Sequence, residues 1–120
     1  MACVLAFVDD LFFQAKILET AKHIGIEVKS YATPDALLAQ IAKQAPNLVI
    51  VDLNARNKPL EAIRSVRAAA QDVKLIAFYS HVEVELAEQA REAGSSQVMP
   101  RSQFTHSLAT ILAEAKSHPS

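Results

Sequence analysis

Cysteine occurs once in this chain, glycine twice, and the charges nearly cancel, with a net of −1 over 120 residues. Each scarcity excludes something. A lone cysteine has no partner within the chain, and Cys3, set in the apolar run Cys3–Val8, reads as a small buried residue in a reducing setting. With glycine only at 25 and 94, no Gly-x-Gly-x-x-Gly follows the first apolar run, which disfavours a Rossmann dinucleotide site. Balanced charge and a pI near 6.4 provide no basic field for a nucleic-acid backbone, so nucleic acid is not an expected direct partner. No basic segment leads into a long apolar one at the N-terminus, and no apolar run approaches the roughly 20 residues that span a bilayer. The expectation is a soluble, cytoplasmic, unprocessed protein without membrane contact.

Internal repeats, low-complexity tracts and Pro/Gly-rich linkers are also missing, which predicts one domain over residues 1–116 and a frayed tail at 117–120. With 51% hydrophobic and 21% charged residues, such a domain can bury a sizeable core. Short apolar runs at Cys3–Val8, Ile26–Tyr31, Leu48–Leu53, Lys74–Tyr79 and Gln97–Met99 alternate with helical patterns over 12–24, 34–44, 59–70, 83–93 and 103–115. That is a (βα)5 pattern. Thr33-Pro34-Asp35 supplies an N-cap and a first-turn proline, and Gly25 and Gly94 follow helical runs where a left-handed residue is wanted. The first and third strands are apolar throughout, as strands covered by helices on both faces are, whereas Ile26-Glu27-Val28-Lys29 alternates as an edge strand does. Right-handed crossovers then favour a doubly wound, five-stranded parallel sheet in the order 2-1-3-4-5.

Three aspartates stand where apolar strands end: Asp9 and Asp10 after the first run, Asp52 after Leu48–Val51. The carboxyl edge of an open parallel sheet is where ligands bind, so adjacent strands would bring these acids into one pocket fit for a divalent cation or a phosphoryl group. The plainer reading makes them helix N-caps. A cap accounts for one carboxylate but not for the doubled pair.

Val8-Asp9-Asp10, Val51-Asp52-Leu53-Asn54, the helix Glu85–Ala93 ending in Ala93-Gly94, and Val98-Met99-Pro100-Arg101 together resemble the receiver domain of two-component response regulators. The resemblance runs over essentially the whole chain. It implies a flavodoxin-like fold and Mg²⁺ held by Asp9, Asp10, Asp52 and the backbone carbonyl of Asn54. It also implies that Asp52 accepts a phosphoryl group from a histidine kinase or phosphotransfer protein. The cation has a physical purpose, because a carboxylate nucleophile must approach a phosphoryl group that already carries negative charge. Without an output domain in the sequence, signalling is expected to pass through a protein output partner or a second copy. Enzymatic activity is expected to be limited to self-phosphorylation from a donor and slow autodephosphorylation.

The chain departs from that family in several places. Where receivers carry a Thr or Ser after the fourth strand, ungapped counting from Gly94 gives Tyr79, and a one-residue slip gives Ser80. A tyrosine hydroxyl projects too far to replace a threonine there. Where receivers carry Lys-Pro, this chain has Arg101-Ser102 after Pro100, which removes the usual reason for a cis bond. Arginine is a planar fork suited to pairing a carboxylate, so Arg101 either clamps a phosphoryl group or pairs with the pocket carboxylates, Asp52 among them, and imitates an occupied site. The loop Ala55-Arg56-Asn57-Lys58-Pro59 adds cationic charge beside the pocket.

Leu11-Phe12-Phe13 opens the first helix with three large apolar residues. Either two are buried and one is a scattered surface residue, or the group forms a partner contact or a lid over Asp10 and Asp52. Val82, Val84 and Phe104 fall, by the resemblance, on the surface through which receivers dimerise or bind outputs. His81 reads as an exposed loop residue, and His23, His106 and His118 show no ligand spacing, so no transition metal is assigned. Three functions follow: a phosphoacceptor at Asp52, a phosphorylation-independent pseudo-receiver locked by Arg101, and, well behind these, a small Mg²⁺-dependent aspartyl phosphohydrolase or phosphotransferase. The last lacks the usual Asp-x-Asp and a cap, since Asp52 is followed by Leu53-Asn54.

Overall fold

The computed structural model describes residues 3–80 and 84–117; His81, Val82 and residues 118–120 of the expected tail, His118 among them, lie outside them, while Ser117 is the last residue of the final helix. In chain order the elements are β1 (Cys3–Phe7), α1 (Leu11–Ile24), β2 (Glu27–Tyr31), α2 (Pro34–Lys43) and β3 (Leu48–Asp52). There follow α3 (Pro59–Ala69), β4 (Lys74–Tyr79), α4 (Val84–Ala93), β5 (Gln97–Pro100) and α5 (Arg101–Ser117). All neighbouring strands pair in parallel, in the order β2-β1-β3-β4-β5.

Strand periodicity divides the core in two, because successive side chains of a strand point to opposite faces. Ala6, Ile50, Ile76 and Phe78 face α1 and α5, where they meet Phe13, Ile17, Leu108 and Leu112. Leu5, Val49, Leu75 and Ala77 face the other layer and meet Leu37, Ile63, Val66 and Ala90. β1 and β3 are buried along their whole length, while β2 lies at the sheet edge with Glu27 and Lys29 exposed. The edge expectation for the second strand therefore holds.

Local chemistry sets the element ends. Thr33 Oγ1 accepts the Ala36 N–H at 3.1 Å ahead of Pro34. Gly25 ends α1 at φ 83°, and its N–H reaches the Ala21 carbonyl. Arg67, half-buried on α3, donates from Nε and Nη2 to the Gly94 carbonyl at 3.0 and 2.7 Å. Its Nη1 donates to the Gln71 and Val73 carbonyls, each at 2.7 Å. One guanidinium thus ties the end of α3, the start of β4 and the α4–β5 turn. Cys3 is buried, and burial pushes its thiol up, in keeping with a structural role.

One placement differs from expectation, and another departs from the plainer of its two readings. Phe104 is fully buried and stacks on Phe78 with ring centroids 4.7 Å apart, so it belongs to the core and not to an exposed docking face. Of Leu11-Phe12-Phe13 only Phe13 is inside, while Leu11 is 75% and Phe12 92% exposed. The phase of α1 explains this, because Phe13, Ile17 and Ala21 recur at a four-residue spacing on the buried face and turn 11 and 12 outward.

Candidate functional site

The carboxyl edge of the sheet gathers the ends of β1, β3, β4 and β5, and each site residue owes its place to one of them. Asp10 is the N-cap of α1. Its Oδ1 accepts the N–H groups of Phe12 and Phe13 at 3.0 and 3.2 Å, so the capping reading accounts for this carboxylate. Its Oδ2 accepts from Arg101 Nη2 at 3.1 Å. The Phe13 N–H and the guanidinium hold Asp10 below the ordinary aspartate value. Asp9, between β1 and α1, turns the other way, and its Oδ2 accepts the Arg56 N–H at 2.9 Å from the β3–α3 connection.

Asp52 ends β3 with the parity of Ile50, which aims it at the α1/α5 side, beside Asp10 and Arg101. It is 4% exposed and is the only buried polar or charged side chain among the described residues. Burial raises its pKa, with the Asn54 N–H and Arg101 opposing the shift and Asp9 and Asp10 adding to it. Oδ1 accepts the Asn54 N–H at 2.9 Å. Among the described residues Oδ2 has no donor, yet it is not sealed off, since only Ser95 Oγ is a fully buried side-chain polar atom without a partner there.

Arg101 is the first residue of α5 and directly follows Pro100, the last of β5. The helix thus begins two residues before the expected 103. Because side chains of a helix lean toward its N-terminus, Arg101 projects back over the sheet edge. Its guanidinium contacts Asp10, approaches Ser80 Oγ at 3.3 Å and lies 4.0 Å from the centroid of the Phe13 ring. The carboxylate it pairs with is therefore Asp10 and not Asp52. All peptide bonds among the described residues are trans, Arg101-Ser102 included.

Of the two hydroxyl candidates, Ser80 stands at this edge, with its N–H held by Asn54 Oδ1 at 2.6 Å and its Oγ beside Arg101. Tyr79 has the opposite parity, and its half-buried ring lies against the α2–α4 side of the core. Asp9, Asp10, Asp52, Asn54, Ser80 and Arg101 are therefore brought to one edge, and Tyr79, though it ends β4, packs on the other face of the sheet. Phe13, the seat of the guanidinium, is a site residue that the sequence does not single out for that role, although a large aromatic three positions after an N-cap acid is a visible signal. The Arg56 backbone N–H is another, and nothing in a sequence marks it.

A donor set of carboxylates and one backbone carbonyl is all hard oxygen, which fits Mg²⁺ or Ca²⁺ and not a transition metal. In the arrangement present, each acid is turned to a neighbouring donor. Among the described residues no group of three or more His, Cys, Asp or Glu side chains is gathered closely enough to hold an ion. The chemistry fits a cation, and in this arrangement Asp10 Oδ2 is already engaged by Arg101.

No protein-family model matches the chain, and no curated protein matches it. Solved structures do. The receiver domain of NtrX from Brucella abortus is similar with a TM-score of 0.79 and 18% identity, covering 98% of this chain and 99% of that one. A CheY-like response regulator receiver domain protein from Methanospirillum hungatei has a TM-score of 0.80 at 18% identity, covering 98% of each. A response regulator from Burkholderia pseudomallei with a phosphorylated aspartic acid, a calcium ion and citrate has a TM-score of 0.78 at 16% identity, covering 98% of this chain and 72% of that one. The chain spans only 27% of the longer NtrX chain determined with ADP. The fold of this chain is that of response-regulator receiver domains, the flavodoxin-like (βα)5 arrangement.

Proposed function

We propose that this chain is a receiver-type signalling domain in which Asp52 accepts a phosphoryl group and the altered surface is read by a protein partner. The observation that carries the proposal is the placement of Asp52. It is a buried carboxylate at the end of β3 with one oxygen anchored by Asn54 and the other without a partner among the described residues, beside Asp9 and Asp10 of the β1–α1 connection. Support also comes from the Burkholderia relative, which carries a phosphorylated aspartate and a divalent ion on the same fold.

In this reading Asp52 Oδ2 attacks the phosphorus of a phosphohistidine or an acyl phosphate, a new O–P bond forms, and the bond to the donor breaks as the leaving group departs with its electron pair. Asp9, Asp10, Asp52 and the Asn54 carbonyl would hold Mg²⁺, which offsets the repulsion between carboxylate and phosphoryl oxygens. Asn54 orients the carboxylate through its N–H. Ser80 is the hydroxyl placed to meet a phosphoryl oxygen, in preference to Tyr79. Histidine kinases or phosphotransfer proteins are the expected donors, and the protein is a signalling module and not a turnover enzyme.

The Arg101–Asp10 bridge favours a second reading, a constitutive pseudo-receiver that binds its partner without phosphorylation. Incubation with acetyl phosphate, with and without Mg²⁺, followed by intact-mass spectrometry separates the two. One phosphoryl group gained only with Mg²⁺, and lost in Asp52→Asn, is the result expected of the first. A folded wild-type protein that gains none supports the second.

A further inference from the structure

We infer that Arg101 is a tethered competitor for the cation: its guanidinium holds Asp10 in the resting state, and a divalent ion enters only as Arg101 lets that carboxylate go. The inference rests on the reading of Asp10 and Asp52 as cation ligands and adds a determinant of how tightly, and in what state, the site takes its ion.

Three observations converge on the guanidinium. It shares a charge-assisted hydrogen bond of 3.1 Å with Asp10 Oδ2, the one oxygen of that residue not spent on capping α1. It lies 4.0 Å from the centroid of the Phe13 ring, a seat that favours a cation by the ring's quadrupole. It is also 3.3 Å from Ser80 Oγ. Ion and guanidinium therefore need the same oxygen, since Oδ1 leaves the α1 N-terminus only by uncapping it. Asp9 is diverted as well, to the Arg56 N–H, which is why the three acids are near one another yet not gathered. A lysine would not reproduce this arrangement, because an ammonium is a point charge without the planar fork that spans carboxylate, hydroxyl and ring together. Once displaced from Asp10, Arg101 retains Phe13 and Ser80 as anchors and stays at the pocket, a mobile positive charge next to the acceptor.

The test is a titration of the full chain with Mn²⁺, the free ion being counted by electron paramagnetic resonance and Mg²⁺ added as competitor. Arg101→Met, which keeps an apolar stem on Phe13, is expected to bind about three- to tenfold more tightly than the wild type, the range set by a partly exposed ion pair with a stacked cation. Arg101→Lys should fall between them. Equal or weaker binding by Arg101→Met overturns the competition and leaves the cation reading standing. Binding by Arg101→Lys equal to that of wild type overturns the bridge, since bare charge would then suffice. Absence of binding in all three, with far-UV circular dichroism showing folded protein, overturns both readings. A second measurement needs no substitution. The Arg101 guanidinium N–H resonances should move as Mg²⁺ saturates the wild type and the hydrogen bond to Asp10 is lost, and resonances that stay fixed through saturation overturn the exchange.

Discussion

The Arg101 guanidinium carbon sits 4.0 Å from the centre of the Phe13 ring, and that ring is the outermost of a buried aromatic column. Phe13 meets Phe78 at 5.0 Å and Phe104 at 5.9 Å, and Phe78 stacks on Phe104 at 4.7 Å. A charge at the sheet edge thus rests on the core itself, so packing beneath the pocket sets where the charge stands. Phe13→Leu keeps an apolar residue at a buried position but removes the ring contacts and the cation's seat. It should lower unfolding free energy by about 1–2 kcal/mol in urea titration. A change within error would contradict the column.

Two aromatics of this region should respond oppositely to truncation. Phe104, fully buried, should cost about 3–5 kcal/mol as Phe104→Ala. Phe12, 92% exposed, should alter stability by no more than about 0.5 kcal/mol as Phe12→Ser. Denaturant midpoints of the two variants measure both, and comparable losses would mean that α1 or α5 is rotated away from the phase that buries Phe104 and exposes Phe12.

The two carboxylates nearest Arg101 should titrate on opposite sides of the ordinary aspartate value of 3.8. Burial raises Asp52, whereas the Phe13 N–H and Arg101 lower Asp10. Carboxyl ¹³C titration by NMR should therefore show Asp52 protonating first as pH falls and Asp10 later. The reverse order would contradict the geometry.

Those shifts carry opposite signs in stability. Ionised Asp52 is a cost to the fold above its raised pKa, and the cost is gone below the unfolded value; Asp10 contributes stability above the unfolded value that is lost as pH falls through its lowered pKa. Asp52→Asn should therefore be more stable than wild type near neutrality, with the gain shrinking as pH falls toward about 3.8. Urea unfolding at several pH values tests this, and a destabilised variant at neutral pH would refute it.

Arg67 should prove a structural residue. Its hydrogen bonds to the Gly94, Gln71 and Val73 carbonyls would go unmet in Arg67→Ala, at a cost of about 1–3 kcal/mol. Arg67→Lys should recover little, because an ammonium cannot fork to three carbonyls. Gly94→Ala should also destabilise, since its φ of +127° disfavours a side chain and its Cβ would come within 2.9 Å of Arg67 Cγ. Thermal melts of the three variants would show it.

What is legible before folding is what depends on neighbours in the chain. Apolar alternation locates all five strands to within a residue or two, Thr33-Pro34 and the glycines mark helix ends, and the acids at strand ends mark the pocket. What is not legible depends on rotation and distance. Leu11 and Phe12 are ambiguous until the Phe13-Ile17-Ala21 spacing fixes the phase of α1. Phe104 is expected at the surface from the resemblance alone, and the contacts with Phe13 and Phe78 that bury it join residues far apart in the chain. Tyr79 and Ser80 cannot be told apart without strand parity, and the partner of Arg101 lies 91 residues away in sequence.

Asn54 faces two ways: its N–H holds Asp52 Oδ1 at 2.9 Å while its side-chain oxygen holds the Ser80 N–H at 2.6 Å. The ends of β3 and β4 are thereby yoked through a single amide residue. A rotation of the Asp52 side chain tugs, through Asn54, on the first residue beyond β4 while the two paired strands keep their register. These two strand ends share one hinge, and a disturbance at Asp52 is passed to Ser80, where the chain leaves β4.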